Sequence, residues 1–189
     1  ALITSMLQMQ MRSMEDEEAK AVLRETSNRI LSMALVHESI YRSHTIARVN
    51  AGDHFHSLVT ELIGTFAPYA AITARVDAGG CQLNLEEAIL YSLIINELVT
   101  NAIKYAFEGR SRGTVTILME CGEQGKVLTV SDDGIGVSDD YRPGVSTSLG
   151  MNIVRNVVMH QMGGTIELVR DGGTSWVIRV PANSPRPGA

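Results

Sequence analysis

The chain has 189 residues, 44% hydrophobic and 20% charged, which excludes a disordered polymer and suffices for one full core plus a smaller element. Its net charge of -5 argues against a nucleic-acid binder, whose surface would carry a basic stripe. The charge leaves room for a nucleotide site, because a helix terminus and one lysine can hold phosphates on an acidic protein.

No apolar run reaches the length of a membrane span. The first residues, "ALITSMLQMQMRSM", have neither an initiator Met nor the basic start and cleavage site of a signal peptide, so a fragment of a longer protein is expected. Ile3, Leu7, Met11 and Met14 follow helical spacing, as do Leu23, Ile30, Met33, His37 and Tyr41. Two such helices cannot bury their apolar stripes alone. They predict a hairpin over 1–44 that pairs with a second copy into a bundle.

The remainder, 45–182, reads as a mixed α/β domain, followed by a disordered tail over 183–189. "NAGDHFHSLVTELIGTFA" predicts a helix ending near Pro68. His44, His54 and His56 on either side of its start are expected to be surface histidines, since no carboxylate or cysteine pattern supports a metal. "AAITARVDA" and "CQLN" read as strands around the Gly79-Gly80 turn. Asn84 caps a long helix from Leu85 to Phe107, with Glu87 as capping-box partner. "GTVTILMEC" and "GKVLTVSD" alternate as strands joined by a turn at Gly122 to Gly125. "LGMNIVRNVVMHQMGG" predicts a helix ended by glycine, and "TIELVR" and "TSWVIRVP" a hairpin. Cys81 and Cys121 lack metal-like spacing and are expected to be free thiols in a reducing compartment.

Four stretches carry chemistry. On the long helix Glu97 and Asn101 are four apart and Lys104 follows three later, so all fall on one face among apolar neighbours. Burying them unpartnered would be costly. A polar, charged ligand would satisfy them: an amide oxygen suits Mg²⁺, a carboxylate can hold a water or act as a base, and a lysine can meet phosphate. Taken alone, the three are more often an exposed polar stripe. "VSDDGIGV" follows a strand. There Gly134 and Gly136 permit close backbone approach, and Asp132 can accept a hydrogen bond from an exocyclic amine. "STSLGMNIV" runs Ser148 into a helix start at Leu149 and Gly150, where backbone N–H groups can bind phosphate. The polar segment before it, with Pro143 and Gly144, is a lid or simply a loop. Thr174 opens the last strand. Each stretch alone also fits an ordinary turn or cap.

In order and spacing the four together resemble the ATP-binding domain shared by gyrase, the Hsp90 chaperones, sensor histidine kinases and MutL. Glu97 and Asn101 fit that family's E-x-x-x-N box, Asp132, Gly134 and Gly136 its D-x-G-x-G box, Gly150 its later glycine box and Thr174 its distal threonine. The resemblance implies an α+β fold: helices on one face of a mixed sheet in a two-layer sandwich, here preceded by the helical hairpin. It implies ATP and Mg²⁺ as cofactors. Asp132 would meet the adenine amine with help from Thr174, and Asn101 would coordinate Mg²⁺. Lys104 and the backbone around Ser148, Leu149 and Gly150 would meet phosphates, with Tyr105 beside them. Glu97 activates water in ATPases of the family and serves mainly binding in its kinases.

"LNLEEAILYSLIINELVTNAIKYAF" and "MNIVRNVVMHQMGGTIELV" are most similar to sensor histidine kinases of the HWE-related group, often found with PAS, LOV or GAF sensors. Asn96 stands where HWE kinases themselves carry a histidine. The resemblance implies a homodimer through the leading helices, phosphotransfer from ATP to a histidine and onward to a response-regulator aspartate, an upstream sensor domain, and a cytoplasmic location for this portion. The short H-R-x-K-N-type acceptor motif of that group is not found, so no phosphoacceptor is assigned in this chain and self-labelling is not expected. An ATP hydrolase or nucleotide-gated clamp driven by Glu97 and a degenerate dimerisation module are the alternative readings.

Overall fold

The computed structural model describes residues 48–138, 140–141 and 148–182, with Met14, Asp16, Ala19, Lys20 and Leu23 ahead of them. The rest of the hairpin expected over 1–44, residues 142–147 of the lid segment and the tail 183–189 lie outside the described residues.

The elements follow in the order β1 (Val49–Asn50), α1 (Ala51–Phe66), β2 (Ala71–Asp77), β3 (Gln82–Leu83), α2 (Leu85–Asn101), β4 (Arg112–Gly122), β5 (Gly125–Asp132), α3 (Leu149–Asn156), β6 (Thr165–Arg170) and β7 (Thr174–Pro181). Helices α2 and α3 each run on into one π-helical turn, Ala102–Ala106 and Val157–Gln161. The main sheet has the order β2-β4-β5-β7-β6. Only β2 and β4 are parallel; the other pairs are antiparallel. β1 and β3 form a separate two-stranded ribbon from which both long helices start.

Alternation builds the core. Val115, Ile117 and Met119 of β4, Leu128 and Val130 of β5, and Trp176 and Ile178 of β7 are buried. They meet Phe55, Leu58 and Leu62 of α1, Tyr91, Ile95 and Leu98 of α2, Val154 of α3 and Val158 of the π turn that follows it in one cluster. Intervening strand residues such as Leu118 and Val169 are exposed. Helices therefore cover one face of a mixed sheet, the expected two-layer sandwich.

The helix starts are specified locally. Asn84 accepts from Glu87 N at 2.9 Å while Glu87 Oε2 accepts from Asn84 N at 3.1 Å, the reciprocal box predicted for α2. The other Glu87 oxygen pairs with Lys126 of β5 at 2.6 Å, fastening that cap to the sheet. Asn50 caps α1 through Asp53 N.

Two expectations are corrected here. Cys81 and Cys121 are joined in a disulfide rather than free. They are 40 residues apart, so spacing along the chain carries no hint of it. The parallel β2–β4 register, with Asp77 beside Leu118, brings Cys81, just beyond β2, to the end of β4 that holds Cys121. His54 is buried, not a surface histidine, and its Nε2 lies 2.6 Å from Ser92 Oγ on α2. Helical periodicity places it on the face of Phe55, Leu58 and Leu62. His56 is exposed.

Candidate functional site

Between α2 and the ends of β5 and β7 lies a cavity of about 460 Å³. Its apolar wall includes Leu98, Ala102, Val130, Ile135, Met151 and Trp176. Its polar groups include Asn101, Asp132, Ser148 and Thr174, with Tyr105 and Glu108 at the end of α2. An apolar slot with few convergent polar groups is the usual form of a small-molecule site.

Asp132 ends β5 and is held in place by backbone. Its Oδ1 accepts from Gly134 N at 3.0 Å and from Thr174 N at 3.3 Å. The register places Asp132 directly opposite Thr174, whose hydroxyl also bonds the carboxylate. Burial pushes the Asp132 carboxyl above its ordinary value, and these three hydrogen bonds pull partly against that. The neighbouring Asp133 has a different task. Its carboxylate accepts from Thr114 N at 2.7 Å, and its carbonyl accepts from Arg110 Nη1. One aspartate faces the cavity and the next fastens the loop to β4.

The glycines after Asp132 are needed for close approach. A side chain at Gly134 would collide with the Ala106 carbonyl. That carbonyl ends the π turn of α2 and accepts from Ile135 N at 2.9 Å. A π turn is a frequent companion of functional sites, and this one joins the asparagine-bearing helix to the glycine loop through backbone. Gly136 has φ +75°, a conformation in which a side chain would be strained.

The remaining wall comes from α3 and from Ser138 and Tyr141. Ser148 caps α3 and accepts from Met151 N at 3.4 Å. Tyr141 stands edge-on to Trp176, with ring centroids 6.4 Å apart. Arg170 of β6 donates to the Tyr141 carbonyl at 2.9 Å, fixing the backbone there.

Of the residues singled out in the sequence, Asn101, Tyr105, Asp132, Gly136, Ser148 and Thr174 line one cavity. Gly134 is buried just behind it, and Gly150 is buried in the first turn of α3 beside exposed Leu149. Lys104 is exposed at the end of α2. Glu97, buried one turn before Asn101, is not among the residues lining the cavity. Sequence reasoning missed Trp176, Tyr141 and Ile135. Trp176 alone had a usable signal: it shares the inward side of β7 with Thr174.

The chain belongs to the histidine kinase-, DNA gyrase B- and HSP90-like ATPase family, whose model matches residues 86–184. Residues 1–66 match a histidine kinase family. Sensor histidine kinase PdtaS of Mycolicibacterium smegmatis is 30% identical over 99% of this chain. PdtaS of Mycobacterium tuberculosis is 29% identical over 95% of it. The chain spans only 38% and 36% of the length of these relatives. Among solved structures, the histidine kinase domain of the Erythrobacter litoralis blue-light activated histidine kinase superposes with a TM-score of 0.71 at 21% identity, covering 94% of each chain. The ATP-binding domain of PrrB from Mycobacterium tuberculosis gives 0.54 at 22% identity over 74% of this chain and 97% of that one. These likenesses establish the fold. The two family matches make this an ATP-binding domain of the histidine kinase type. No helix among the described residues is long and apolar enough to cross a membrane.

Proposed function

We propose that this chain is the catalytic core of a sensor histidine kinase, binding ATP in the cavity between α2 and β5 and passing its γ-phosphoryl to a histidine. The observation that carries this reading is Asp132: a half-buried carboxylate, pinned by three hydrogen bonds, at the polar end of an otherwise apolar slot. An adenine ring fits that combination. Its exocyclic amine donates to Asp132 beside the Thr174 hydroxyl, and its faces pack against Leu98, Ile135 and Met151. Discrimination follows, because a ring lacking the amine leaves the half-buried carboxylate one donor short.

The phosphates then extend toward Asn101, Lys104 and the start of α3. Backbone N–H groups at Leu149 and Gly150, in the first turn after the Ser148 cap, provide donors and a favourable helix dipole. Lys104, exposed at the helix end, contributes charge without having to be buried. The donor set fits Mg²⁺ only in part. Asn101 supplies one hard oxygen, and no group of three metal-binding side chains exists among the described residues. That matches a metal held mainly by phosphates and water. Bound there, Mg²⁺ would supply neutralisation of phosphate charge. The protein's share of catalysis is positioning and fixed dipoles.

Hydrolysis driven by Glu97 is the weaker reading, since Glu97 does not line the cavity. On the kinase reading the intact protein is a dimer through the N-terminal helices, located in the cytoplasm, with an upstream sensor and a response-regulator partner. No residue of this chain is assigned as the acceptor.

Trp176 is the single tryptophan and lines the cavity, so its fluorescence reports occupancy directly. Titration with ATP and Mg²⁺ is expected to change the emission and saturate, with Asn101→Ala weakening the Mg²⁺-dependent part. With γ-labelled ATP the chain itself is expected to remain unlabelled. No response at millimolar ATP would overturn the reading in favour of a degenerate module.

A further inference from the structure

We propose that Cys81 and Cys121 are a reversible thiol–disulfide modification site, open to small disulfides and dithiols at Cys121, that clamps the starts of α1 and α2 to the sheet. The inference does not depend on the nucleotide reading, because the pair lies at the opposite end of α2 from Asn101.

Three observations carry it. First, the two sulfurs differ in access. Cys121 is exposed at the end of β4, whereas Cys81 is 5% exposed, so a reagent meets Cys121 and Cys81 acts as the resolving partner. Their Cα atoms are 5.8 Å apart, which either state accommodates without backbone movement. Second, Cys81 sits at the junction from which both long helices begin. Its carbonyl accepts from Ala51 N at 3.0 Å, the first residue of α1. Cys81 also precedes β3 and the Asn84 cap of α2 by a few residues. Third, a non-covalent link spans the same gap. Lys126 is the register partner of Cys121, and it pairs with Glu87 of the α2 cap at 2.6 Å. The covalent clamp therefore runs beside a contact that uses neither sulfur.

The step balances as thiol–disulfide exchange. The Cys121 thiolate attacks one sulfur of a low-molecular-weight disulfide, forming a mixed disulfide and expelling one small thiolate. The Cys81 thiolate then attacks the Cys121 sulfur, closing the protein disulfide and expelling the second. Two protein thiols lose two protons and two electrons, and the small disulfide is reduced to two thiols. A dithiol reverses the sequence. Such cycling reconciles a disulfide with a chain expected to work in a reducing compartment.

The test uses the full chain, with glutathione disulfide as oxidant and dithiothreitol as reductant, followed by maleimide labelling and intact mass. The reduced chain is expected to take two labels. The oxidised chain should take none and form no disulfide between chains. Cys81→Ser should accept one glutathione at Cys121, whereas folded Cys121→Ser accepts little at Cys81. Oxidised wild type is expected to melt about 10 °C above reduced wild type, because the bond closes a loop that contains all of α2. Three results would overturn the proposal: a pair that dithiothreitol opens only after unfolding, thiols that stay fully labelled in glutathione disulfide, or oxidation that yields only intermolecular dimers. The wild-type measurements decide even where a serine variant fails to fold.

Discussion

Asp132 is half-buried, enough to make an ionised carboxylate costly, and it is kept there by Gly134 and by both the backbone and hydroxyl of Thr174. Because burial raises its folded-state pKa, the protonated form suits the empty domain better. Its contribution to stability is thus fullest below the ordinary aspartate value and is lost as pH rises through the raised one. Ligand binding runs the other way, since an amine needs the ionised acceptor. Adenosine affinity is therefore expected to fall as pH drops through the raised pKa, and adenosine has no phosphate to confuse the profile. Asp132→Asn should weaken adenosine binding roughly tenfold to a hundredfold, the worth of a hydrogen bond to a charged group. The same variant should flatten the profile and leave the melting temperature at pH 7 unchanged or higher. A variant that binds normally, or one that melts well below wild type, would make Asp132 a structural residue instead.

Two elements meet at the π turn of α2, where the Ala106 carbonyl takes the Ile135 N–H. The fit leaves no room at Gly134 for a methyl group. Gly134→Ala should cost about 1–3 kcal/mol, as overpacking does, and should weaken ATP binding at least tenfold by displacing the loop behind Asp132. Circular dichroism melts and Trp176 titrations separate the two effects, and an unchanged affinity would show that the loop tolerates the shift. At the other end of the layer, His54 of α1 bonds Ser92 of α2. Burial lowers the His54 pKa, so the folded domain holds it neutral. Its stabilising contribution is present above the ordinary histidine value of 6.5 and is lost as pH falls through the lowered folded value. Below pH 6.5 the wild-type melting temperature should therefore drop more steeply than that of His54→Gln. Parallel curves would remove His54 from the pH response.

Across the whole molecule, sequence carried the layering well. Period-2 alternation in β4, β5 and β7 and the Asn84–Glu87 box are local signals, and local signals survive folding. The boxes holding Asn101, Asp132, Gly136 and Thr174 were also legible, because each pairs a chemical group with a turn or cap. The burial of His54 and the part of Trp176 in the cavity had local signals, in the helical period of α1 and the alternation of β7, that the residue types obscured. The Cys81–Cys121 bond had none, because it depends on the parallel β2–β4 pairing, a non-local fact. The same layering separates stability from binding. Phe55 is fully buried in the layer between α1 and Tyr91 of α2, outside the cavity wall. Phe55→Ala should cost about 3–5 kcal/mol by emptying that layer. Nucleotide affinity of the chain that remains folded should stay within about twofold, as expected for sites without shared partners. Denaturant melts give the first number, and Trp176 titration at low temperature gives the second. A tenfold loss of affinity would mean that α1 positions α2 against the cavity. Stability and site would then be one mechanical unit rather than two.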